Sequence, residues 1–335
     1  RWVGLNDMTG DRTSTMDTDV STDQFLPLNR APLVLALILA LTMVIAVLFG
    51  ARVFYDRVAR QPVAMSAIDS PDASSPECST LIDRLPSSLL GHRRTDIAEP
   101  APAGAAAWSS NSTESITLRC GVSLPLQYTT LSHTTDAAGS TWLRVVDATP
   151  GINLETWYSV NRHPAVAVTT TRAALGSHAN PVDDLGESMS DLSTVAVNPH
   201  PAPLATLESA GAEDRCDTLL SALPNTLGDF TRLDAASVTA SGLPAASAAW
   251  TAEGQEPVVL RCGVAPAPGY APGAQLQQVN DIPWFEDTTL ANGTTSSTWF
   301  ALDREAEVAV SMPQSAGNAV IVGISSAISE HLPRA

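Results

Sequence analysis

Apolar residues run without a charge from Leu33 to Ala51, a stretch of 19 residues bounded by Arg30 and Arg52. Wound as a helix, this run is roughly 28 Å long, close to the ~30 Å hydrocarbon core of a bilayer. It also lacks the polar face that a helix on a soluble core retains. The pattern predicts a transmembrane helix over residues 31–52, with the bilayer as the partner of Leu33–Ala51. A cleaved signal peptide is the alternative; against it stand the length of the run and the lack of a small-x-small site close behind it. Residues 1–30 are polar, with five Asp in the first 24 positions, and predict a disordered tail; Met8 and Met16 are candidate start residues.

Past the helix the hydrophobic period changes twice. Cys78, Leu81, Ile82 and Leu85 stand at i, i+3, i+4 and i+7, and Pro86 closes the pattern, which is one face of a short helix with the cysteine on it. Ile116, Leu118, Cys120 and Val122 then alternate with Thr117, Arg119 and Gly121, a period-2 strand with its cysteine on the core face. Segments 141–146, 156–161 and 165–170, rich in Trp, Val and Thr, read as further strands. Val182, Leu185, Met189 and Leu192 are spaced for a closing helix.

The same succession occurs again. Cys78, Leu81, Leu85 and Pro86 return as Cys216, Leu219, Leu223 and Pro224 at an offset of 138. Farther on the offset is 142: Trp108 matches Trp250, Trp142 matches Trp284, Trp157 matches Trp299, and Arg162 matches Arg304. Leu118-Arg119-Cys120-Gly121-Val122 reappears as Leu260-Arg261-Cys262-Gly263-Val264. The second set of strands falls at 283–285, 298–302 and 307–311, and Val320, Ile321, Ile324 and Ile328 mark its closing helix. The chain is a tandem duplication with four extra residues in the second copy.

Helix, strands and helix in that order predict an α+β fold. The expectation is two tandem small domains, each an antiparallel sheet with helices on one face, preceded by the single transmembrane helix. The first copy spans 78–194 and the second 216–335, with Pro- and Ala-rich linkers at 53–77 and 195–215. Two cysteines per copy, one on a helix and one on a strand, with no metal-ligand cluster around them, read as Cys78–Cys120 and Cys216–Cys262 disulfides. The alternative is four buried thiols in a cytoplasmic protein. Disulfides would place the repeats on the extracytoplasmic side, a choice that the flanking arginines leave open, since Arg1, Arg12 and Arg30 precede the helix and Arg52, Arg57 and Arg60 follow it.

The net charge of −17 offers no basic stripe for phosphate, and nucleic acid is not an expected partner. All 18 basic residues are Arg, so arginine fills every cationic role and a phosphate-loop lysine is missing.

The Cys-x-x-Leu-Leu-x-x-Leu-Pro helix at Cys216–Pro224, the Ala248-Ala249-Trp250 strand and the Leu260–Val264 strand together resemble an actinobacterial envelope family, domain of unknown function 3515. Cys78–Pro86, Ala106-Ala107-Trp108 and Leu118–Val122 carry the same resemblance in the first copy. It implies an envelope setting and no established activity. Members commonly hold one such domain, whereas this chain holds two.

Catalytic signals are weak. There is no Gly-x-Ser-x-Gly elbow, no Cys-x-x-Cys and no His-Glu-x-x-His. The histidines do not pair between copies, His133 aligning with Gln275 and His163 with Glu305. No cofactor or metal is expected, and Asp183 and Asp184 read as a solvated first turn. Trp157, Trp299, Arg162 and Arg304 form the expected binding surface, with tryptophan stacking on a ligand such as a glycan and arginine taking an anionic group. The competing reading has Trp108 and Trp250 in the core and Arg119 and Arg261 paired with Glu114 and Glu256. The expected function is a non-enzymatic binding or scaffolding module at the cell membrane, with an unknown envelope protein or wall component as partner. An enzyme acting on envelope polymers and an accessory subunit of a membrane complex are the alternatives.

Overall fold

Helix α1 (Arg30–Val58) contains the apolar run, and the side chains of residues 31–52 are exposed. Its 25-residue segment Ala31–Tyr55, with an 18-residue stretch of mean hydropathy 3.0, is long and apolar enough to cross a membrane. The computed structural model describes residues 30–58, 61–66, 68–111, 113–149, 151–291 and 293–335; the expected tail, residues 1–29, lies outside them. The chain divides after Phe54 into two units, and the second holds both repeats.

The first repeat opens with α2 (Pro76–Arg84), where Ser75 caps the helix by accepting from the Cys78 amide and Pro76 starts it with φ already set. Ten strands follow: β1 (Ser88–Leu89), β2 (His92–Thr95), β3 (Ala105–Ser109), β4 (Ser115–Cys120), β5 (Thr134–Ala137), β6 (Ser140–Val146), β7 (Leu154–Ser159), β8 (Arg162–His163), β9 (Val166–Thr171) and β10 (Ser193–Thr194). Eight of them form one antiparallel sheet in the order β1-β2-β3-β4-β9-β7-β6-β5, while β8 and β10 pair separately. Alternation on β4 sends Ile116, Leu118 and Cys120 into the core with Trp108, Trp142, Trp157, Val166 and Val168.

The second repeat begins at α5 (Asp217–Ala222), after the short helices α3 (Arg172–Leu175) and α4 (Gly186–Met189) that close the first. Its strands are β11 (Thr226–Leu227), β12 (Phe230–Arg232), β13 (Ser247–Thr251), β14 (Val258–Cys262), β15 (Gln277–Val279), β16 (Ile282–Glu286), β17 (Ser296–Ala301) and β18 (Val308–Pro313). They order as β11-β12-β13-β14-β18-β17-β16-β15, strand for strand the arrangement of the first sheet. Helix α6 (Ala235–Ala240) falls where the extra residues were counted, and α7 (Gly317–His331) closes the repeat. Val320, Ile321, Ile324 and Ile328 are buried on α7 as expected. In the first copy the matching pattern makes only a 3-10 turn (Asp183–Leu185) and α4, although Val182, Leu185, Met189 and Leu192 are all buried. Pro181 ahead of the pattern and Gly186 inside it shorten the helix without changing which side chains it buries. Asp183 and Asp184 are exposed in that turn.

Both disulfides are present: Cys78–Cys120 joins α2 to β4, and Cys216–Cys262 joins the residue that precedes α5 to β14. With sequence separations of 42 and 46, each contributes about 4 kcal/mol in the chain-entropy account.

The segments read as linkers are in part laid across the sheets, and the Leu-Arg-Cys-Gly-Val block holds them there. Arg119 donates to the Ser66 carbonyl, and Arg261 donates to the carbonyls of Leu204 and Leu207 at 2.9 and 2.6 Å. The Arg119–Glu114 and Arg261–Glu256 pairs expected from sequence give way to this use; Glu256 instead accepts from Thr295 and Ser296. The Asp72 amide donates to the Gly121 carbonyl at 3.2 Å, and the Ala210 amide to that of Gly263 at 2.8 Å. Gly121, at φ +79°, lies so close that a Cβ there would sit 2.3 Å from the Asp72 carbonyl carbon. Only glycine meets both demands.

Candidate functional site

Two arginines outside the expected surface repeat their geometry between copies. The guanidinium carbons of Arg94 on β2 and Arg232 on β12 each lie 5.8 Å from the ring centroid of a core tryptophan, Trp108 and Trp250. Arg94 donates to the carbonyls of Ile82 and Leu85, and Arg232 to those of Leu220 and Leu223, so each cation closes the C-terminal end of the first helix. The indole N–H of each tryptophan donates to the proline carbonyl that follows, Pro86 or Pro224, at 2.9 Å. Burial lowers the pKa of both arginines, with Asp83 opposing the effect at Arg94. The offset of 138 that aligned the cysteines also aligns Arg94 with Arg232, and that was the available signal for this pair.

Arg162 and Arg304 also do matching work, inside the fold. Arg162 donates to the carbonyls of Leu192 at 2.9 Å and Gly139 at 2.5 Å, and to the Ser140 hydroxyl at 2.9 Å. Arg304, 7 % exposed, donates to Asp281 at 2.7 Å and to the Leu332 carbonyl at 3.2 Å. Each therefore fastens the end of its copy, at Leu192 or Leu332, to a sheet turn. Arg304, together with Arg334 and a Ser329 hydrogen bond, holds the Asp281 carboxyl well below the usual carboxylate range, the Ser329 bond contributing most.

Trp157 is 3 % exposed and donates to Glu155 Oε1 at 2.8 Å. Glu155, itself 5 % exposed, takes two bonds from Arg144 at Oε2, 2.7 Å from Nη2 and 3.2 Å from Nε. Burial alone would lower the Arg144 pKa, and the bonds to Glu155 and Glu253 reverse this to a net rise. The four expected residues thus do not assemble into one exposed surface, because both arginines are bonded within the fold and one of the two indoles is buried. Trp299 is the exception, partly exposed on β17 between β18 and β16.

A cavity forms where the repeats meet. Thr130 Oγ1 donates to the Ser241 carbonyl at 2.6 Å, the Val146 amide to the Gly254 carbonyl at 2.8 Å, and Arg144 pairs with Glu253 at 2.9 Å. Leu131 of the first copy packs with Val238, Leu243, Ala249 and Val259 of the second and with Ala202 of the segment between them. Beside these contacts opens a cleft of about 330 Å³. Its walls are Leu126, Gln127 and Thr129 of the first copy, His200–Leu204, Thr206 and Leu207 of the connecting segment, and Glu256, Pro257 and Leu290 of the second. Its floor is the outer face of the second sheet, with Ser296, Thr298 and Ser311 pointing upward. Ser311 is 4 % exposed, yet neither its hydroxyl nor that of Thr298 has a hydrogen-bond partner among the described residues. Both hydroxyls open to the cleft, where they can bond to solvent or to a ligand. Apolar walls, a hydroxyl floor, one imidazole and one carboxylate suit a partly apolar ligand without negative charge.

A histidine–serine contact lies elsewhere in the first copy. His92, 7 % exposed, places Nδ1 2.7 Å from Ser110 Oγ and Nε2 2.8 Å from the Ala174 carbonyl. The carbonyl fixes the proton on Nε2 and leaves Nδ1 to accept from the serine. The second copy carries Phe230 and Ala252 at these positions. Among the described residues no group of His, Cys, Asp and Glu is arranged to hold a metal ion.

An apolar helix followed by two disulfide-closed sheets of identical strand order defines a tandem-repeat α+β protein. The family described as protein of unknown function (DUF3515) matches the chain twice, over residues 37–197 and 190–335, and the chain belongs to that family. No curated protein matches it in sequence, and no solved structure matches it in fold.

Proposed function

We propose that this chain is a non-enzymatic binding module of the cell envelope, tethered by α1 and displaying both repeats on the extracytoplasmic side, where the cleft between them holds a partner or wall component. The observation that carries the reading is the cleft: both copies and the segment joining them contribute to it, and the Ser296, Thr298 and Ser311 side chains line its floor. Duplication creates this site, since one copy alone has only part of its wall. The length and hydropathy of α1 support the anchor, and two disulfides support the oxidising side.

The test compares material co-purified from native membranes with the wild-type chain and with Ser311→Leu, which fills the cleft floor. The expected result is a species retained by the wild type and lost from the variant, with both melting alike. An identical set from both would reject the cleft, and protease protection of residues 61–335 in intact cells would reject the orientation.

A second reading, hydrolysis of an envelope polymer, draws on the His92–Ser110 contact, in which Nδ1 is placed to take the serine proton. Polymer release by the purified protein that disappears in Ser110→Ala would favour it over binding alone.

A further inference from the structure

The two copies treat the third tryptophan of each repeat differently. In the first, Arg144 stands opposite Trp157 across the β6–β7 ladder, and Glu155 lies two residues before it. The indole N–H, carboxylate and guanidinium satisfy one another there. In the second copy Glu286 stands opposite Trp299 across β16–β17, and Ser297 replaces the glutamate. The filling ion pair is gone, and a cavity of about 290 Å³ takes its place. Trp299 lines it with Glu286, Gln277, Gln314, Asn318 and Met312. Neither the Trp299 N–H nor the Glu286 carboxylate has a partner among the described residues. Helix α7 starts at the rim without a side-chain cap.

From this juxtaposition we propose that the second repeat carries a saccharide-binding pocket, with the Trp299 ring as its platform and a neutral or amino-substituted sugar as its ligand. A sugar ring offers an apolar C–H face to stack on an indole and a rim of hydroxyls that donate and accept. Gln277, Gln314 and Asn318 supply both donors and acceptors, and Glu286 accepts. No cation lines the pocket, so the carboxylate disfavours uronic, sulfated or phosphorylated sugars. The volume lies at the lower limit of small-ligand pockets, and the open mouth lets a polymer continue beyond the bound unit. The pocket is separate from the cleft between the repeats and does not depend on it.

The experiment uses the full chain in a detergent without a sugar head group. Tryptophan fluorescence and calorimetry are followed against a panel of neutral and amino oligosaccharides based on glucose, mannose and N-acetylglucosamine, with oligogalacturonate and choline alongside. At least one neutral or amino oligosaccharide is expected to bind saturably, with a loss of ten-fold or more in Trp299→Ala. The paired change Glu286→Arg with Ser297→Glu installs the first copy's ion pair, and is expected to abolish binding while leaving the melting temperature at or above wild type. Ser311→Leu is expected to bind the saccharide as wild type does, which separates this pocket from the cleft. The proposal is overturned if no neutral or amino saccharide saturates, if only oligogalacturonate or choline binds, or if the paired variant binds like the wild type.

Discussion

Arg144 links a buried carboxylate and an exposed one through a single guanidinium, and replacing it separates their contributions. Its side chain is 21 % exposed, that of Glu155 is 6 % exposed, and that of Glu253 is 74 % exposed. Arg144→Met keeps the aliphatic stem against Gly254 but leaves Glu155 charged and buried with only the Trp157 N–H. Breaking a buried pair from one side costs about 3–5 kcal/mol, and the residual exposure of Arg144 places this case at the lower end. A loss of about 3 kcal/mol corresponds to a fall of about 6–12 °C in melting temperature. Glu253→Gln removes only the exposed bond and is expected to move the midpoint by no more than about 2 °C. Thermal melts of the detergent-solubilised chain, read by tryptophan fluorescence and near-ultraviolet circular dichroism, measure each effect. Equal melting of Arg144→Met and Glu253→Gln would refute the reasoning, as would failure of Glu155→Gln to restore stability in the Arg144→Met background.

Three further outcomes follow from the geometry. Gly121→Ala, which must hold φ near +79° and place its methyl on the Asp72 backbone, is expected to lose more than about 2 kcal/mol in urea unfolding. Gly151→Ala, at φ +83° but facing open space, is expected to lose only about 1 kcal/mol. Converting Cys216 and Cys262 together to alanine is expected to cost about 4 kcal/mol, and a thiol reagent should label none of the four cysteines in the unreduced chain; labelling of all four would dismiss both bonds. Burial raises the Glu307 carboxyl pKa, and its Oε2 has no partner among the described residues. A folded pKa raised above the unfolded one means stability is lost as pH rises through it. Glu307→Gln should therefore melt higher than wild type at pH 7 with little gain near pH 4, and an equal gain at both would contradict this.

The sheets were legible because alternation and tryptophan spacing are local signals, repeated twice. Strands expected at 141–146 and 298–302 occur as β6 and β17 with small shifts at their ends. Cysteine positions on opposing buried faces likewise carried enough to pair them. What the arginines do was not legible. Arg119, Arg261, Arg162 and Arg304 all donate to backbone carbonyls, and a carbonyl has no residue type to mark it. Carboxylates close in sequence were therefore the visible partners, and the wrong ones for Arg119. The cleft was hidden for a related reason: its floor alternates Ser296 and Thr298 on a sheet face that reads as solvent-exposed until another segment crosses it. The Trp299 pocket was within reach, since Arg144 against Glu286 and Glu155 against Ser297 are mismatches at an offset that otherwise preserves tryptophan.

The segments held across the sheets bear on what was duplicated. Each copy's glycine and arginine are shaped by a stretch of chain that precedes its first cysteine, Asp72 with Gly121 in one case and Leu204, Leu207 and Ala210 with Arg261 and Gly263 in the other. The inherited module therefore starts upstream of its first helix, in agreement with a second family match that begins at residue 190. A single-copy ancestor would already have worn its own leading strand of coil as a belt. Doubling the gene turned the second belt into one wall of the cleft between the copies, so a segment that seals a domain also faces a neighbour.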